Sequence, residues 1–245
     1  MLSPAERARK YGTNYSPAHK GHIMENFGFF TEEDAKDAPP ALRDVQQAHS
    51  YAVRTWTAIY GLIESASRDP SQSEAAKLKS LAAEARKAAD KAKNNALAAI
   101  DHASNAVKMI EQDLRAASRP PTPVDAGIDA EVRAYLRGLK PADAFAQVMR
   151  AADSYTDEST ALLRAAASGP AFLSGLTDDM QRQCRDRFLA RVKPEQVQAL
   201  GRYRKGIETA NKAIKALDTH VADFVDFETA DKLNALSIKP LEVAS

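Results

Sequence analysis

From Leu78 onward one row of residues reads Leu78, Ala82, Ala85, Ala89, Ala92, Ala96, Ala99, Ala103, Ala106, Ile110, in steps that alternate between four and three. That spacing is a heptad seam, and it admits a long α-helix with one continuous packing edge. Alanine fills nearly every position, so a partner helix can come closer than it could across leucine. Each alanine buries little area, and the seam therefore contributes geometry more than energy. The spacing predicts a helix over 74–117, roughly 65 Å long at its usual rise. Ile100, Val107 and Leu114 add a second apolar stripe near its end, which implies more than one neighbour there.

The segment before it carries Leu42, Val45, His49, Ala52, Trp56, Ile59 and Ile63 at three- and four-residue steps. This predicts a helix over 40–67, with Trp56 and Tyr60 in the core. The turn Arg68-Asp69-Pro70 is short, so residues 39–118 are expected to form a long antiparallel helical hairpin. Arg119-Pro120-Pro121-Thr122-Pro123 then reads as a stiff linker over 119–127. Residues 128–228 are expected to form a helical bundle. One helix runs to Leu139; a second runs from Pro141 through Phe145, Val148, Ala152, Tyr155, Leu162 and Ala166, until Ser168-Gly169-Pro170 breaks it. Thr177-Asp178-Asp179 caps a third. From Pro194 a last long helix has two apolar rows, Leu200, Ile207, Ile214, Val221 and Tyr203, Ala210, Leu217, Phe224. Gly201 and Gly206 each weaken it by about 1 kcal/mol relative to alanine.

The ends differ from this helical body. Residues 1–38 read as an extended arm with short helices, one capped by Ser3 with Pro4 in its first turn and another starting at Thr31-Glu32-Glu33-Asp34. The tail, 229–245, holds a short helix and then the extended stretch Ile238-Lys239-Pro240-Leu241. β-branched and aromatic residues are sparse and no stretch alternates with period two, so the expected class is all-α.

Charge narrows the partners. Thirty-four Lys and Arg stand against 33 Asp and Glu, a net charge of +1, and no global field draws the chain to nucleic acid or an acidic membrane. Cys184 is the single cysteine, which excludes an intrachain disulfide and a thiolate zinc site. The N-terminus has no apolar core, and no run of about 20 apolar residues is present. A soluble chain in a virion or in cytoplasm is expected, without signal peptide or membrane span.

Ser16-Pro17-Ala18-His19-Lys20-Gly21-His22 resembles the histidine-x-glycine-histidine signature of nucleotidylyltransferases, with Gly12-Thr13 upstream. The resemblance implies two histidines that stabilise a transferring phosphoryl group. That signature follows a buried strand in a parallel nucleotide-binding sheet, whereas Ala5-Glu6-Arg7-Ala8-Arg9-Lys10 precedes it here and no strand–helix alternation follows. His49 falls on an apolar stripe and reads as a satisfied core histidine, while His220, flanked by acids, reads as a surface residue. Cys184 reads as a structural thiol, although its arginine neighbours would lower its pKa. No catalytic, cofactor-binding or metal-ligating set is assigned, and no cofactor is expected.

Between Arg182 and Lys215 ten basic residues face three acids; Asp218, Asp223, Asp226, Glu228 and Asp231 follow with no base until Lys232. Such halves can pair between neighbouring subunits, or the basic half can touch nucleic acid. The stretch from Ala151-Ala152-Asp153-Ser154 to Ala171-Phe172-Leu173-Ser174-Gly175-Leu176-Thr177, with the long alanine-rich helices, resembles structural proteins of tailed bacteriophages (connector, ejection and capsid-associated). The resemblance implies a non-enzymatic helical assembly protein that packs against itself or other virion proteins. Its seams would be Ala82, Ala85, Ala89, Ala92, Ala96, Ala99, Ala103, Ala106, Leu200, Ile207 and Leu217. Partner contacts are expected at Tyr15, Phe27, Phe29, Phe30, Arg202, Arg204 and Lys205. The alternatives are a cellular scaffold that holds nucleic acid through 182–215, and a nucleotidylyltransferase built on His19 and His22.

Overall fold

The computed structural model describes residues 26–28, 30, 31 and 36–238. Among them are eight α-helices and no strand: α1 (Pro40–Arg68), α2 (Glu74–Ala117), α3 (Pro123–Arg137), α4 (Pro141–Ala152), α5 (Asp157–Ala167), α6 (Asp178–Val192), α7 (Pro194–Phe224) and α8 (Phe227–Ile238). A 3-10 turn, Ala171–Leu173, lies between α5 and α6. The expected all-α class is the observed one. The Ser3-Pro4 start, Tyr15, His19, His22, Phe29 and residues 239–245 lie outside the described residues, as does most of the helix expected at Thr31.

Local chemistry sets the helix ends. Pro40 opens α1 where a missing N–H costs nothing. Past Arg68, the Asp69 carboxylate accepts from the Ser71 amide at 2.8 Å and its hydroxyl at 2.6 Å, closing the chain into a turn. The Ser73 hydroxyl then accepts from the Ala76 amide and caps α2.

Two expected boundaries fall elsewhere. The proline run is not a linker over 119–127: the Thr122 hydroxyl accepts from the Asp125 amide at 3.1 Å, and Pro123 is already in the first turn of α3. The helix expected to run unbroken from Pro141 is two helices. Thr156 and Ser159 exchange side-chain and backbone hydrogen bonds at 3.2 and 3.1 Å, a reciprocal cap that starts α5. Tyr155 stands exposed in the break.

The chain divides into two compact units, residues 1–105 with 202–245, and residues 106–201. The boundaries fall inside α2 and α7, so the hairpin expected over 39–118 is not a domain of its own. In the first unit α1 and α2 run antiparallel, and at the end far from their turn Asp44 meets His102 at 2.9 Å. Helix α7 runs parallel to α1: Leu42 packs on Gly206 and Trp56 on His220, both pairs 164 positions apart. Lys93 pairs with Asp218 and Arg86 with Asp231, which ties α2 to α7 and α8. The core holds Trp56 and Ile59 of α1, Ala85 and Ala92 of α2, and Leu217 and Val221 of α7.

In the second unit α3 to α6 enclose Leu136, Val148, Leu163, Cys184 and Phe188. Arg164 of α5 reaches back to α3, bonding Asp129 at 3.0 Å and Asp125 at 3.2 Å. Asp129 has no exposed surface, and Arg164 supplies the charge that makes its burial tolerable.

Candidate functional site

The alanine seam packs as its spacing predicts: Ala82, Ala85, Ala89, Ala92, Ala96, Ala99 and Ala103 are buried, and Ala106 is half-buried. On α7 the outcome is mixed. Leu217 is fully buried, but Leu200 and Ile207 are only half-buried. The buried row runs Tyr203, Gly206, Ala210, Ala213, Leu217, His220, again in steps of three and four. Tyr203, Ala210 and Leu217 belong to one of the two rows expected from the sequence; Gly206, Ala213 and His220, which complete the buried row, are small or polar, and a search for apolar residues passes over them.

Of the aromatic residues expected to await a partner, the two that are described, Phe27 and Phe30, pack within the chain. Phe27 is completely buried, stacked on His220 with ring centroids 5.9 Å apart. Phe30 is half-buried and meets His49 edge-on at 5.2 Å. The His49 Nε2–H donates to the carbonyls of Phe27 at 3.2 Å and Gly28 at 3.1 Å, so it is the satisfied core histidine its stripe predicts. Gly28 makes this possible, because its φ of +73° turns both carbonyls onto one imidazole. Arg202 donates to the Lys36 carbonyl at 2.6 Å, while Arg204 and Lys205 are exposed.

His220 is not the surface residue its acidic neighbours suggested. It lies against Trp56 at 5.3 Å, and its Nε2 is buried without a hydrogen-bond partner among the described residues. Burial holds its pKa below the ordinary histidine value, while Asp223 acts weakly the other way. Cys184 moves opposite to the trend its arginines imply: burial pushes the thiol up to about 11, which leaves it un-ionised and inert. It is a packing residue of the second core.

The charged tracts are also engaged internally. Arg185 donates to the Ala167 carbonyl, and Arg191 donates to the Ser154 and Thr156 carbonyls with its guanidinium 4.8 Å over the Tyr155 ring. Arg182 and Lys212 pair with acids one turn away. Among the acids, Asp218 and Asp231 are held by α2, and Asp226 caps α8 at Thr229. Pairing of a basic half with an acidic half across subunits would first have to break these bonds.

Two surface features remain. Between α1 and α2 an open cleft of about 480 Å³ is lined by Asp44, Gln47, Tyr51, Arg54, Asn95 and His102 over a floor of Ala48, Ala98 and Ala99. The His102 Nδ1–H donates to Asp44, which fixes the ring and leaves Nε2 toward other partners. Both side chains are about half exposed, so solvent screens the pair. Among the described residues no three His, Cys, Asp or Glu side chains are grouped to hold a metal ion.

The other feature is the outer face of α3. Val124, Gly127, Ile128, Glu131, Ala134 and Tyr135 all face outward, and only Glu131 among them is charged. Val124 is 73%, Ile128 42% and Tyr135 54% exposed. A helix of this amphipathic kind normally turns charge to solvent. Sequence patterning points at the opposite face of this helix, where Leu136 is buried, so this one was missed. No family model matches the chain, and comparison with curated proteins and solved structures likewise finds nothing similar to it.

Proposed function

We propose that the chain is a non-enzymatic helical assembly protein, acting through subunit packing in a tailed-phage particle. The observation that carries this reading is the outer face of α3. Single exposed hydrophobic residues need no explanation, but three on one stripe with small residues between them form a contact surface. Gly127 adds to the argument. A Cβ there would meet nothing within 4 Å, so the chain's own fold does not require glycine at that position. Its helix-weakening cost of about 1 kcal/mol is offset if a neighbouring subunit needs that space. The alanine seam suits the same role on its own account, because close-packed long helices are stiff.

Light scattering across a concentration series tests the proposal. The full chain should exceed its monomer mass of 26.6 kDa as concentration rises. Val124→Glu with Ile128→Glu should return it to the monomer while leaving its helical signal and melting temperature unchanged. A wild-type chain that stays at 26.6 kDa throughout would overturn self-packing as its mode of assembly.

A further inference from the structure

An apolar helix face needs a groove to bury it, and the cleft between α1 and α2 has that form. Its floor is Ala48, Ala98 and Ala99, so nothing larger than a methyl group stands there and a third helix can approach closely. From Asp44 to Arg54 the α1 wall of the cleft spans about 15 Å at the usual helical rise. From Val124 to Tyr135 the outer face of α3 spans about 16 Å. The two lengths match.

Charge sets the direction. The Asp44–His102 pair, 2.9 Å apart, marks one end of the cleft. Arg54 lies at the other end, exposed and with no ion pair among the described residues. Glu131, the one charged residue on the α3 face, is likewise exposed and without an ion pair among the described residues. With α3 parallel to α1 and Val124 level with Asp44, Gly127 comes within about one residue of Ala48. Glu131 then stands about 4.5 Å short of Arg54, a gap that an arginine side chain spans. This direction also brings the positive end of the α3 dipole to Asp44. The reverse direction would press Glu131 toward Asp44 and set Arg54 against Val124.

On the reading of α3 as the assembly face, we propose that α3 of one copy docks in the α1–α2 cleft of a second copy. Gly127 lies over the alanine floor and Glu131 pairs with Arg54. Each copy offers both halves of this contact, so copies add head to tail into a ring or a filament.

Two blocked variants of the full chain test this by light scattering. Ala98→Glu places a charge on the cleft floor and spares α3. Val124→Glu with Ile128→Glu spoils the face and spares the cleft. Ala98 is exposed, so its change leaves the buried seam intact. Each variant alone should stay at 26.6 kDa; mixed, they should form a one-to-one complex of twice that mass and grow no further. Arg54→Glu should weaken assembly of the otherwise wild-type chain about tenfold, and adding Glu131→Arg to the same chain should restore it. If Ala98→Glu alters the helical signal, the charge reversal and its rescue decide. An Ala98→Glu chain that assembles like wild type, or blocked variants that stay apart on mixing, would overturn the docking and leave the α3 reading standing. A wild-type chain that stays monomeric would overturn both.

Discussion

Gly206 of α7 sits so close to Leu42 of α1 that a Cβ built on it would lie 2.6 Å from the leucine Cδ1. Leu42 is 1% exposed and has no solvent to turn into, so the glycine is what lets the two parallel helices meet. Gly201, one and a half turns earlier on the same helix, has nothing within 4 Å of its Cβ position. The two glycines therefore answer the same substitution with opposite signs. Gly201→Ala should stabilise the chain by roughly 0.5–1 kcal/mol through helix propensity alone. Gly206→Ala gains that propensity but overpacks the interface, and should destabilise by about 1–2 kcal/mol net. Urea melts of both variants check this, and Leu42→Ala should relieve part of the Gly206→Ala cost.

That pair also shows where sequence reading succeeds and fails. The alanine seam of α2 was legible because one residue type repeats at heptad spacing, and no other structure satisfies such a row. The bounds of α1 and α2 were legible from Pro40, Asp69-Pro70 and the prolines after Ala117. The buried row of α7 was legible only in Tyr203, Ala210 and Leu217: Gly206, Ala213 and His220 carry no apolar bulk, and their burial follows from what α1 presents opposite them. Leu200 and Ile207 look like core and lie at its margin. Phe27 looks like an unburied arm residue, because its partners His49 and His220 are distant in sequence. The α3 face and the α1–α2 cleft depend on which side of a helix its neighbours leave open, and that is a tertiary fact.

The seam itself makes a prediction about tolerance. Ala92 is fully buried and Ala96 nearly so, whereas Leu97 on the same helix is 45% exposed. Ala92→Leu or Ala96→Leu should each cost roughly 1–3 kcal/mol, since the close approach leaves no room for three more carbons. Leu97→Ala should change stability by no more than about 0.5 kcal/mol. Thermal melts of the three variants distinguish a packed seam from a row of surface helix formers, which would reverse the order.

His220 makes stability depend on pH with a defined sign. Its folded-state pKa lies below the 6.5 that the unfolded chain recovers, because burial disfavours the charged ring. Below that value the unfolded state binds a proton the native state resists, so stability falls as pH drops from neutral toward 5. Asp231 and Asp125 are held low by their bonds to Arg86 and Thr122, so their contributions fade only at more acidic pH. The melting temperature should be lower at pH 5 than at pH 7.5, and His220→Leu should shrink that difference. An equal difference in the variant would assign the effect to other groups.

The Asp129–Arg164 brace tests the second unit separately. Asp129 is wholly buried, and Arg164 meets it through two guanidinium nitrogens, Nε at 3.1 Å and Nη2 at 3.0 Å. The arginine is held further into its charged state chiefly by this hydrogen bonding, against the opposing effect of its own burial. Removing Asp129 leaves Arg164 charged and desolvated, with only the more exposed Asp125 to pair with it. Asp129→Ala should therefore cost about 3–5 kcal/mol, the usual range for a broken buried pair. Asp125 also bonds Arg164, but its side chain is 28% exposed and solvent can replace the contact, so Asp125→Ala should cost far less. The decisive variant removes both charges together. Asp129→Leu with Arg164→Met keeps most of the volume and leaves no orphaned ion, so it should recover much of the lost stability. If the double variant is as unstable as Asp129→Ala, the penalty arises from lost shape at the α3–α5 contact and not from an unpaired charge. Denaturant melts of the four chains, wild type included, separate the two causes.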